Sequence, residues 1–253
     1  SPGHLLSPIH GEEWGYRHRA RLSVRFVESK GGALVGFREK RSTYVADMTA
    51  CDVLPPRVSA LIPELRALVS RLSIRNRIPQ IEVAVGDDAV VLLFRQLLPF
   101  TLEDEALLRG FADAHRVSVW LQPEGPESAK PFHPAGQEDL HYTLPEFGLE
   151  IRFKPADFTQ VNPGVNQLLV SRAIRLLDPQ PGERIADLFC GIGNFSGNIC
   201  RNNNNAIIIS NYDIAWVDNS ASTHNLNIHR AECCFNCAFS ANSLAKYRKL
   251  HAG

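Results

Sequence analysis

The sequence predicts an α/β chain of two parts: an α+β module over residues 1–145, followed by the start of a Rossmann-like domain over residues 146–253. Two observations support this prediction. In the first part, short segments alternate apolar and polar residues around glycine turns, which is typical of antiparallel strands. In the second part, a strand, an amphipathic helix and a buried strand lead into a glycine turn, which is how a doubly wound domain begins.

The first part contains two predicted hairpins and two predicted helices. "RARLSVRFV" and "GALVGFRE" flank "ESKGG" and predict a hairpin, and "STYVADM" predicts a third strand. "PPRVSALIPELRALVSRL" has apolar residues at helical spacing, with prolines where a first turn tolerates them. "IEVAVGDDAVVLLFRQ" predicts a second hairpin that turns at Gly86. "TLEDEALLRGFADAH" opens with a threonine cap and acidic residues, as a helix does, and "VSVWLQ" predicts another strand.

The second part begins after a proline-rich segment, residues 123–140, which predicts a loop at the boundary. "LEIRF" then predicts a strand, and residues 163–177 predict a long amphipathic helix. "RIADLF" is apolar enough for a buried strand, and the turn after it contains Gly191, Gly193 and Asn194. Ligands of doubly wound domains bind at this edge of the sheet, and glycines let the backbone approach them closely.

The glycine turn alone does not establish a ligand site. The dinucleotide fingerprint is G-x-G-x-x-G, and here the third glycine comes one position late, at Gly197. A tight structural corner between a strand and a helix gives the same pattern. Asp187, in the strand ahead of the turn, favours a ligand site because a carboxylate there accepts hydrogen bonds from a nearby loop or from a ligand amine. The polar segment 157–162, "DFTQVN", comes one helix earlier and is expected to line the same crevice.

Composition limits the class of protein. Hydrophobic residues make up 44% of the chain and charged residues 21%, which is ordinary for a globular protein. No apolar run reaches the roughly 20 residues of a membrane helix, and the first residues do not resemble an export signal. Six cysteines without regular spacing favour a reducing compartment over a disulfide framework.

The charge is unevenly distributed although its formal sum is zero. Residues 16–41 contain eight basic residues against two acidic ones, whereas residues 99–150 contain ten acidic against three basic. The first of these segments predicts a basic face that holds phosphates. A solvated ribbon with alternating charges is the other interpretation.

Two segments in combination resemble a known family. "KPADFTQVNPGVNQLLVSRAI", followed by "ERIADLFCGIGNFS", is similar to the S-adenosyl-L-methionine-dependent RNA (uracil-5-)-methyltransferases, which modify a uridine carbon. "YRHRARLSVRF" and "GALVGFREKRSTYVADMTACDVLPPRV" also resemble this family and point to its 23S ribosomal RNA branch. The resemblance covers residues 14–196. It implies a methyltransferase domain, S-adenosyl-L-methionine as cofactor, 23S ribosomal RNA as partner, a cytoplasmic monomer and no membrane.

The resemblance also implies which residues contact the methyl donor. Three positions match the family's donor contacts: Gln160, Phe189 (through its backbone) and Asn194. A further contact in the family is a carboxylate that ends the next strand and binds the ribose hydroxyls, and Asp218 is the candidate here, with Asp213 behind it. "FSANSL" is similar to a later contact segment and implies that Asn242 lies near the adenine.

Cys51 resembles a metal ligand of the family's ribosomal branch, the last of four cysteines that hold a [4Fe–4S] cluster. The other three are absent from this sequence, and one thiolate cannot hold a cluster that needs four ligands. From the residues alone, a lone cysteine between an apolar strand and "DVLPP" is a buried structural thiol. Cys190 and Cys200 are interpreted in the same way, and the cysteines of residues 233–237 lack a partner pair at zinc-ribbon spacing.

The chemistry of the family needs residues that this sequence does not contain. Carbon 5 of uracil becomes a nucleophile only after a thiolate adds at carbon 6, and a base must later remove the proton from carbon 5. Family members carry that cysteine in a Ser-Cys-Asn-Pro segment, with a glutamate base further on. Neither is present, and Cys237 has none of this context. We therefore assign no catalytic residue and interpret the chain as an internal piece of a longer enzyme, inactive alone.

The composition changes near residue 198. No proline follows Pro181, and ten of the fifteen asparagines lie beyond Cys200. A frameshift over residues 199–253 is the interpretation that we favour, and a divergent tail that still echoes a donor-binding half is the other. Three alternative functions remain: an RNA-binding module that has lost turnover, a transfer RNA uracil-5-methyltransferase, and a methyltransferase for a small molecule.

Overall fold

The computed structural model describes residues 5–136, 140–180, 185–188, 190–198, 207–209 and 214–216. The chain divides into two compact units. Unit 1 consists of Ser1–Thr143 and Arg152–Leu169, and unit 2 of Leu144–Ile151 and Val170–Gly253. The boundary after residue 145 that the sequence indicates stays a prediction.

Unit 1 is built on a six-stranded sheet. Its strands are β1 Arg19–Val27, β2 Gly32–Gly36, β3 Gln80–Val85, β4 Val90–Arg95, β5 Ser118–Gln122 and β6 Lys130–His133. Their order is β2-β1-β3-β4-β5-β6, and neighbours are antiparallel except β4 and β5, which are parallel. The two predicted hairpins, β1 with β2 and β3 with β4, are therefore confirmed. Gly31 permits the first turn because its φ of 70° is in the left-handed region.

Three helices lie between the strands in sequence: α1 Pro56–Ser59, α2 Leu61–Arg71 and α3 Leu102–His115. Leucines of α2 and α3 share one apolar cluster with one face of the sheet. Leu22, Ile81 and Phe94 occupy registered positions across β1, β3 and β4, and all three are 0% exposed. This layer of helices on a sheet is the α+β module that the sequence predicts.

The predicted helix over "PPRVSALIPELRALVSRL" forms as two helices. Proline at position 63 has no N–H to donate to the carbonyl of Ser59, four residues earlier, and its ring crowds that carbonyl. The helix is accordingly interrupted at Ala60. The cap predicted for α3 is confirmed, because the Thr101 side chain accepts from the Asp104 N–H and the Asp104 carboxylate accepts from the Thr101 N–H.

The strand predicted over "STYVADM" is wrong. The structure has only a single bridge there, between Arg38 and Val45, and the residues around it form bends. The carboxylate of Asp47 lies 2.6 Å from Lys30 Nζ and 3.0 Å from Arg66 Nη2. These ion pairs join the segment to Lys30 and Arg66, and they form while the segment has the conformation of a loop.

The loop predicted over residues 123–140 is partly wrong, because it contains β6. This strand pairs antiparallel with β5 at the edge of the sheet, with a register shift between Val119 and Trp120. An edge strand tolerates Pro131 because only one side of its backbone faces a neighbour. The sequence therefore predicted a loop because prolines are frequent in this segment, although part of it forms strand β6.

The remaining elements are β7 Leu140–Leu144, β8 Leu149–Phe153, α4 Pro163–Leu177, β9 Ala186–Leu188, β10 Ile207–Ile209 and β11 Ile214–Trp216. The predicted strand "LEIRF" and helix over 163–177 are confirmed as β8 and α4. β7 and β8 form a two-stranded sheet, and β9, β10 and β11 form another in the order β11-β10-β9. β9 and β10 are parallel, the pairing that a doubly wound domain requires.

Within unit 2, α4 is tied to the turn that precedes β8. Arg175 Nη2 lies 2.7 Å from Glu146 Oε1, and the Ser171 hydroxyl donates to the other carboxylate oxygen. The hydrogen bonds from Ser171 and Arg175 hold the pKa of Glu146 below its ordinary value. Among the residues that the structure describes, no helix has the length and apolar character needed to cross a bilayer.

Candidate functional site

The glycine turn follows β9 in unit 2. Gly191 has a φ of 58° and Gly193 a φ of 86°, and other residues adopt such angles only with strain. The Gly193 N–H donates to the Cys190 carbonyl at 2.9 Å, and the Gly197 N–H donates to the Gly193 carbonyl at 2.9 Å. The turn is therefore a compact backbone structure that favours glycine at both positions.

One side of this turn has free space among the described residues. A Cβ placed on Gly191 would meet no heavy atom of the described residues within 4 Å. Three side-chain oxygens of the same region are buried and have no hydrogen-bond partner among the described residues: Asp187 Oδ2, Ser196 Oγ and Asn198 Oδ1. Buried polar atoms without partners cost free energy. The carboxylate and amide oxygens among them accept hydrogen bonds, from amino groups of a ligand or from N–H groups of the chain.

Asn194 lies inside the turn and is half-buried. Its carbonyl accepts from Asn198 Nδ2 at 2.9 Å, which joins the turn to residues 196–198, where the backbone is helical. The predicted contact of Asn194 with a donor stays a prediction. The other residues predicted to contact the donor lie outside the described residues: Phe189, Asp213, Asp218 and Asn242. Cys200 and the cysteines of residues 233–237 also lie outside them.

Cys190 opens the turn and is half-buried. Burial raises its pKa, and the nearby carboxylate of Asp187 raises it further. A thiol with a raised pKa is largely protonated near neutral pH and is a poor nucleophile. This agrees with the interpretation of Cys190 as structural.

Gln160 lies in unit 1, in the loop between β8 and α4. This loop is fixed at three points. The Arg19 guanidinium donates to the Asp157 carbonyl, and the Lys154 N–H donates to the Asp157 carboxylate at 2.8 Å. The His18 N–H donates to the Val161 carbonyl at 2.8 Å. The Gln160 side chain is exposed on this rigid loop, so it is available to a ligand without rearrangement of the backbone.

The end of the same loop is the cap of α4. The Asn162 side-chain oxygen accepts from the Val165 N–H at 2.9 Å, which is the hydrogen bond of an N-cap. Phe158, two residues before Gln160, is 75% exposed. The sequence analysis did not single out Phe158, although an aromatic residue flanked by polar ones in a loop is a recognisable pattern. An exposed ring of this kind can stack on a nucleic-acid base.

The basic segment of residues 16–41 is partly neutralised. Glu82 of β3 lies 3.0 Å from Arg21 Nη2 and 3.5 Å from Arg19 Nη2. The Glu82 carboxylate also accepts from Gln80 Nε2 at 2.7 Å. Other cations of the segment are exposed and form no ion pair with the described residues: Arg25, Arg38, Lys40 and Arg41. The segment therefore contains two arginines that are paired with Glu82 and also exposed cations that have no ion pair with the described residues.

Cys51 is half-buried and packs against the apolar cluster of unit 1. Its N–H donates to the Ser59 hydroxyl at 2.8 Å. Within the described part of the chain, no three His, Cys, Asp or Glu side chains come together to hold a metal ion. The described residues therefore do not fit an iron–sulfur cluster, and Cys51 has the environment of a structural thiol.

Comparison with known proteins identifies relatives at high identity. A protein of Thiobacillus denitrificans named 23S rRNA (uracil(1939)-C(5))-methyltransferase RlmD is 62% identical over 195 residues, 77% of this chain and 45% of the relative. The proteins of that name from Burkholderia thailandensis and Aromatoleum aromaticum are 61% and 58% identical, over 76% and 79% of this chain. The chain spans less than half the length of these relatives. No protein-family model matches the sequence.

A solved structure resembles the fold. The tRNA (uracil-54, C5)-methyltransferase of Pyrococcus abyssi, in complex with S-adenosyl-L-homocysteine, is 19% identical, with a TM-score of 0.54. The match covers 74% of this chain and 47% of that protein. This likeness confirms the α/β fold class, and the high-identity relatives confirm the resemblance that the sequence motifs indicated.

Proposed function

We propose a methyl-transfer function for this chain, which belongs to the 23S rRNA uracil-C5 methyltransferase family of its relatives. The reaction is transfer of a methyl group from S-adenosyl-L-methionine to carbon 5 of a uridine in 23S ribosomal RNA, by a protein of the length of these relatives. The observation that carries the proposal is identity of about three residues in five across three-quarters of the chain. Ribosomal RNA as target makes the cytoplasm the expected location.

The glycine turn is the proposed cradle of the methyl donor. The donor supplies an activated methyl group on a sulfonium. Three features of unit 2 support a donor site: the two positive-φ glycines, and, among the described residues, the free space beside Gly191 and the buried oxygen of Asp187 without a partner. A carboxylate is suited to the donor's ammonium group, because a charged hydrogen bond is stronger than a neutral one.

Specific residues are proposed to contact the donor. In unit 1, Gln160 offers an exposed amide on a rigid loop. In unit 2, Asn194 lies in the turn itself. The backbone of Phe189, the carboxylate of Asp218 and the side chain of Asn242 complete the proposed set by resemblance to the family.

The exposed cations of unit 1 are the proposed contact with RNA. Unpaired arginines and lysines bind phosphates, fix the position of the RNA and carry no sequence information. The rigid loop adds the exposed ring of Phe158, which offers a stacking surface for a base that has left its stack. Binding of this kind weakens as the salt concentration rises.

We propose that catalytic turnover requires a longer protein that contains this chain, because the sequence has no Ser-Cys-Asn-Pro segment. A thiolate and a base are both needed to add at carbon 6 and to remove the proton from carbon 5. Burial and Asp187 raise the pKa of Cys190, so this thiol does not replace the nucleophile. Cys51 is likewise proposed as one of four cluster ligands only in a longer protein, since the described residues supply no others.

One preparation of the chain, tested in two binding assays, separates the proposed function from its alternatives. Calorimetry measures uptake of S-adenosyl-L-homocysteine, and fluorescence anisotropy measures binding of a uridine-containing RNA. We expect the chain to bind both. Binding of RNA alone indicates a non-catalytic RNA-binding module, and binding of the nucleoside alone indicates a methyltransferase for a small molecule. Either result contradicts the proposal.

A further inference from the structure

We propose that a cavity at the start of β3 in unit 1 is a binding subsite for one nucleotide of single-stranded RNA. The inference rests on the proposed function, which gives the chain an RNA partner, and it assigns residues that neither the motifs nor the comparisons indicate. The cavity has a volume of about 330 Å³. Its polar side chains are those of Arg25, Arg75 and Asn76, and its apolar ones include those of Phe26, Ile78 and Pro79.

The cavity forms where β1 continues past the beginning of β3. The Val24 N–H donates to the Pro79 carbonyl at 3.0 Å, which holds the residues before β3 against β1. The short helical turn Arg75–Arg77 supplies the opposite wall. A volume of this size lies at the small end of ligand pockets, which span roughly 300–1,000 Å³, so it holds one nucleotide and not a longer segment.

Arg75 is held in an orientation suited to stacking. Its guanidinium carbon lies 4.8 Å from the centroid of the Phe26 ring. Bases stack on arginine planes as well as on aromatic rings, and an arginine that already lies over a ring is ordered before the base arrives. Arg75 Nε is buried and has no hydrogen-bond partner among the described residues.

The chain contains a second arginine over a ring that serves as an internal comparison. The guanidinium carbon of Arg109 lies 4.2 Å from the centroid of the Phe132 ring. Arg109 Nη2 also lies 3.2 Å from Glu105 Oε2, so its charge is paired. Arg75 has the same kind of ring contact without an acid beside it in the described residues.

The charge around the cavity favours an anion. Arg25 and Arg75 line it, and neither forms an ion pair with the described residues. Two unpaired cations on one cavity repel each other, and an anionic ligand relieves that repulsion. A nucleotide supplies both a phosphate for the arginines and a flat base for the arginine plane and the apolar wall. Inorganic phosphate or an acidic peptide satisfies only the charge.

The test compares Arg75→Gln with Arg109→Gln in the full chain. Fluorescence anisotropy measures binding of a short, labelled single-stranded oligouridine at several salt concentrations. We expect Arg75→Gln to weaken binding about tenfold, the value of one stacked base or one charged hydrogen bond. The slope of log affinity against log salt should become shallower by about 0.7, the contribution of one phosphate on a single strand. Arg109→Gln should bind as the unaltered chain does.

Two further measurements separate the nucleotide from the other occupants. Arg75→Lys keeps the positive charge but removes the planar guanidinium. We therefore expect weaker binding of RNA with the same salt slope as the unaltered chain. Inorganic phosphate added at constant ionic strength should not displace the RNA. If Arg75→Lys binds as the unaltered chain does, or if phosphate displaces the RNA, the subsite is an anion site only and the inference is overturned.

Failure of the subsite and failure of the proposed function give different results. If the unaltered chain binds RNA and Arg75→Gln binds equally well, the subsite is overturned and the proposed function stands. If the unaltered chain binds no RNA, both are overturned. Thermal unfolding of the two glutamine variants controls for folding, since each loses one ring contact of similar geometry.

Discussion

Two carboxylates, one in each unit, differ in how their oxygens are satisfied. Asp104, in the first turn of α3, is 2% exposed and accepts hydrogen bonds from the Ser73 N–H at 2.7 Å, the Ser73 hydroxyl at 2.5 Å and the Thr101 N–H at 3.1 Å. Asp187, in β9, is half-buried, and its Oδ2 has no partner among the described residues. The carboxylate of Asp104 serves the fold of unit 1, whereas that of Asp187 has one oxygen that no described residue satisfies.

The difference in hydrogen bonding contrasts a carboxylate that stabilises the fold, Asp104, with one that is proposed to bind a ligand, Asp187. A buried acceptor without a partner reduces stability, so a ligand that supplies the missing donor gains affinity from the contact. Substitution of Asp104 should therefore change the free energy of unfolding, and substitution of Asp187 should change ligand affinity.

The largest expected effect is that of Asp104→Ala. It removes two charged hydrogen bonds from Ser73 and the capping box of α3, and we expect the free energy of unfolding to fall by about 3 kcal/mol. Urea unfolding followed by tryptophan fluorescence, to which the buried Trp120 contributes, measures this loss. Asp187→Asn is the control and should change the free energy by less than about 0.5 kcal/mol. Equal losses of unfolding free energy in Asp104→Ala and Asp187→Asn would contradict the distinction between the two carboxylates.

Acidification should reproduce part of the Asp104 effect. Burial raises the pKa of this carboxyl, but hydrogen bonds from Ser73 and Thr101 outweigh it, so the pKa lies below its ordinary value. The unfolded chain then binds the proton more readily than the folded chain does. The contribution of Asp104 to stability is present above about pH 4 and is lost as the pH falls towards the pKa of the folded state. The Asp104→Asn variant should show a shallower loss of stability below pH 4 in the same unfolding assay.

Two glycines with positive φ, one in each unit, allow a matched comparison with a smaller expected effect. Gly31 has a φ of 70° and Gly191 a φ of 58°, and a Cβ on either meets no heavy atom of the described residues within 4 Å. Alanine at either position should cost about 1 kcal/mol of stability from backbone strain. Calorimetry should show weaker uptake of S-adenosyl-L-homocysteine only for Gly191→Ala. An affinity unchanged by Gly191→Ala would place the donor elsewhere.

Gln160→Ala should have the smallest effect. The side chain is exposed, so stability should change by less than about 0.5 kcal/mol. Loss of one neutral hydrogen bond to the donor should lower its affinity about 2- to 10-fold. Gln167→Ala, at an exposed position of α4, is the control and should leave the affinity unchanged. Equal affinities for both variants would remove Gln160 from the proposed site.

Elements with local determinants were predictable from the sequence. The bounds of α4 follow from Pro163 at its first position and from the Asn162 cap, and the start of α3 follows from Thr101. Elements that depend on distant contacts were not. The loop around Asp47 is held by Lys30 and Arg66, far away in sequence, and the edge strand β6 is defined only by its pairing with β5.

The candidate sites show the same division. The glycine turn and Asp187 were predictable because strand, acid and glycines are contiguous in sequence. The lack of a partner for Asp187 Oδ2 among the described residues was not predictable, because it depends on every neighbour in space. The cavity beside Arg75 was also missed, since "IRNR" gives no indication that Phe26, about fifty residues earlier, lies beneath the guanidinium.

The most direct test of the central claim is a calorimetric titration of S-adenosyl-L-homocysteine into the unaltered chain and into Asp187→Asn. The account predicts saturable uptake of one equivalent by the unaltered chain. In Asp187→Asn it predicts an affinity about 10- to 100-fold weaker, the value of one charged hydrogen bond, at unchanged stability. No uptake by the unaltered chain, or equal affinity in the variant, would contradict the assignment of the glycine turn to the methyl donor.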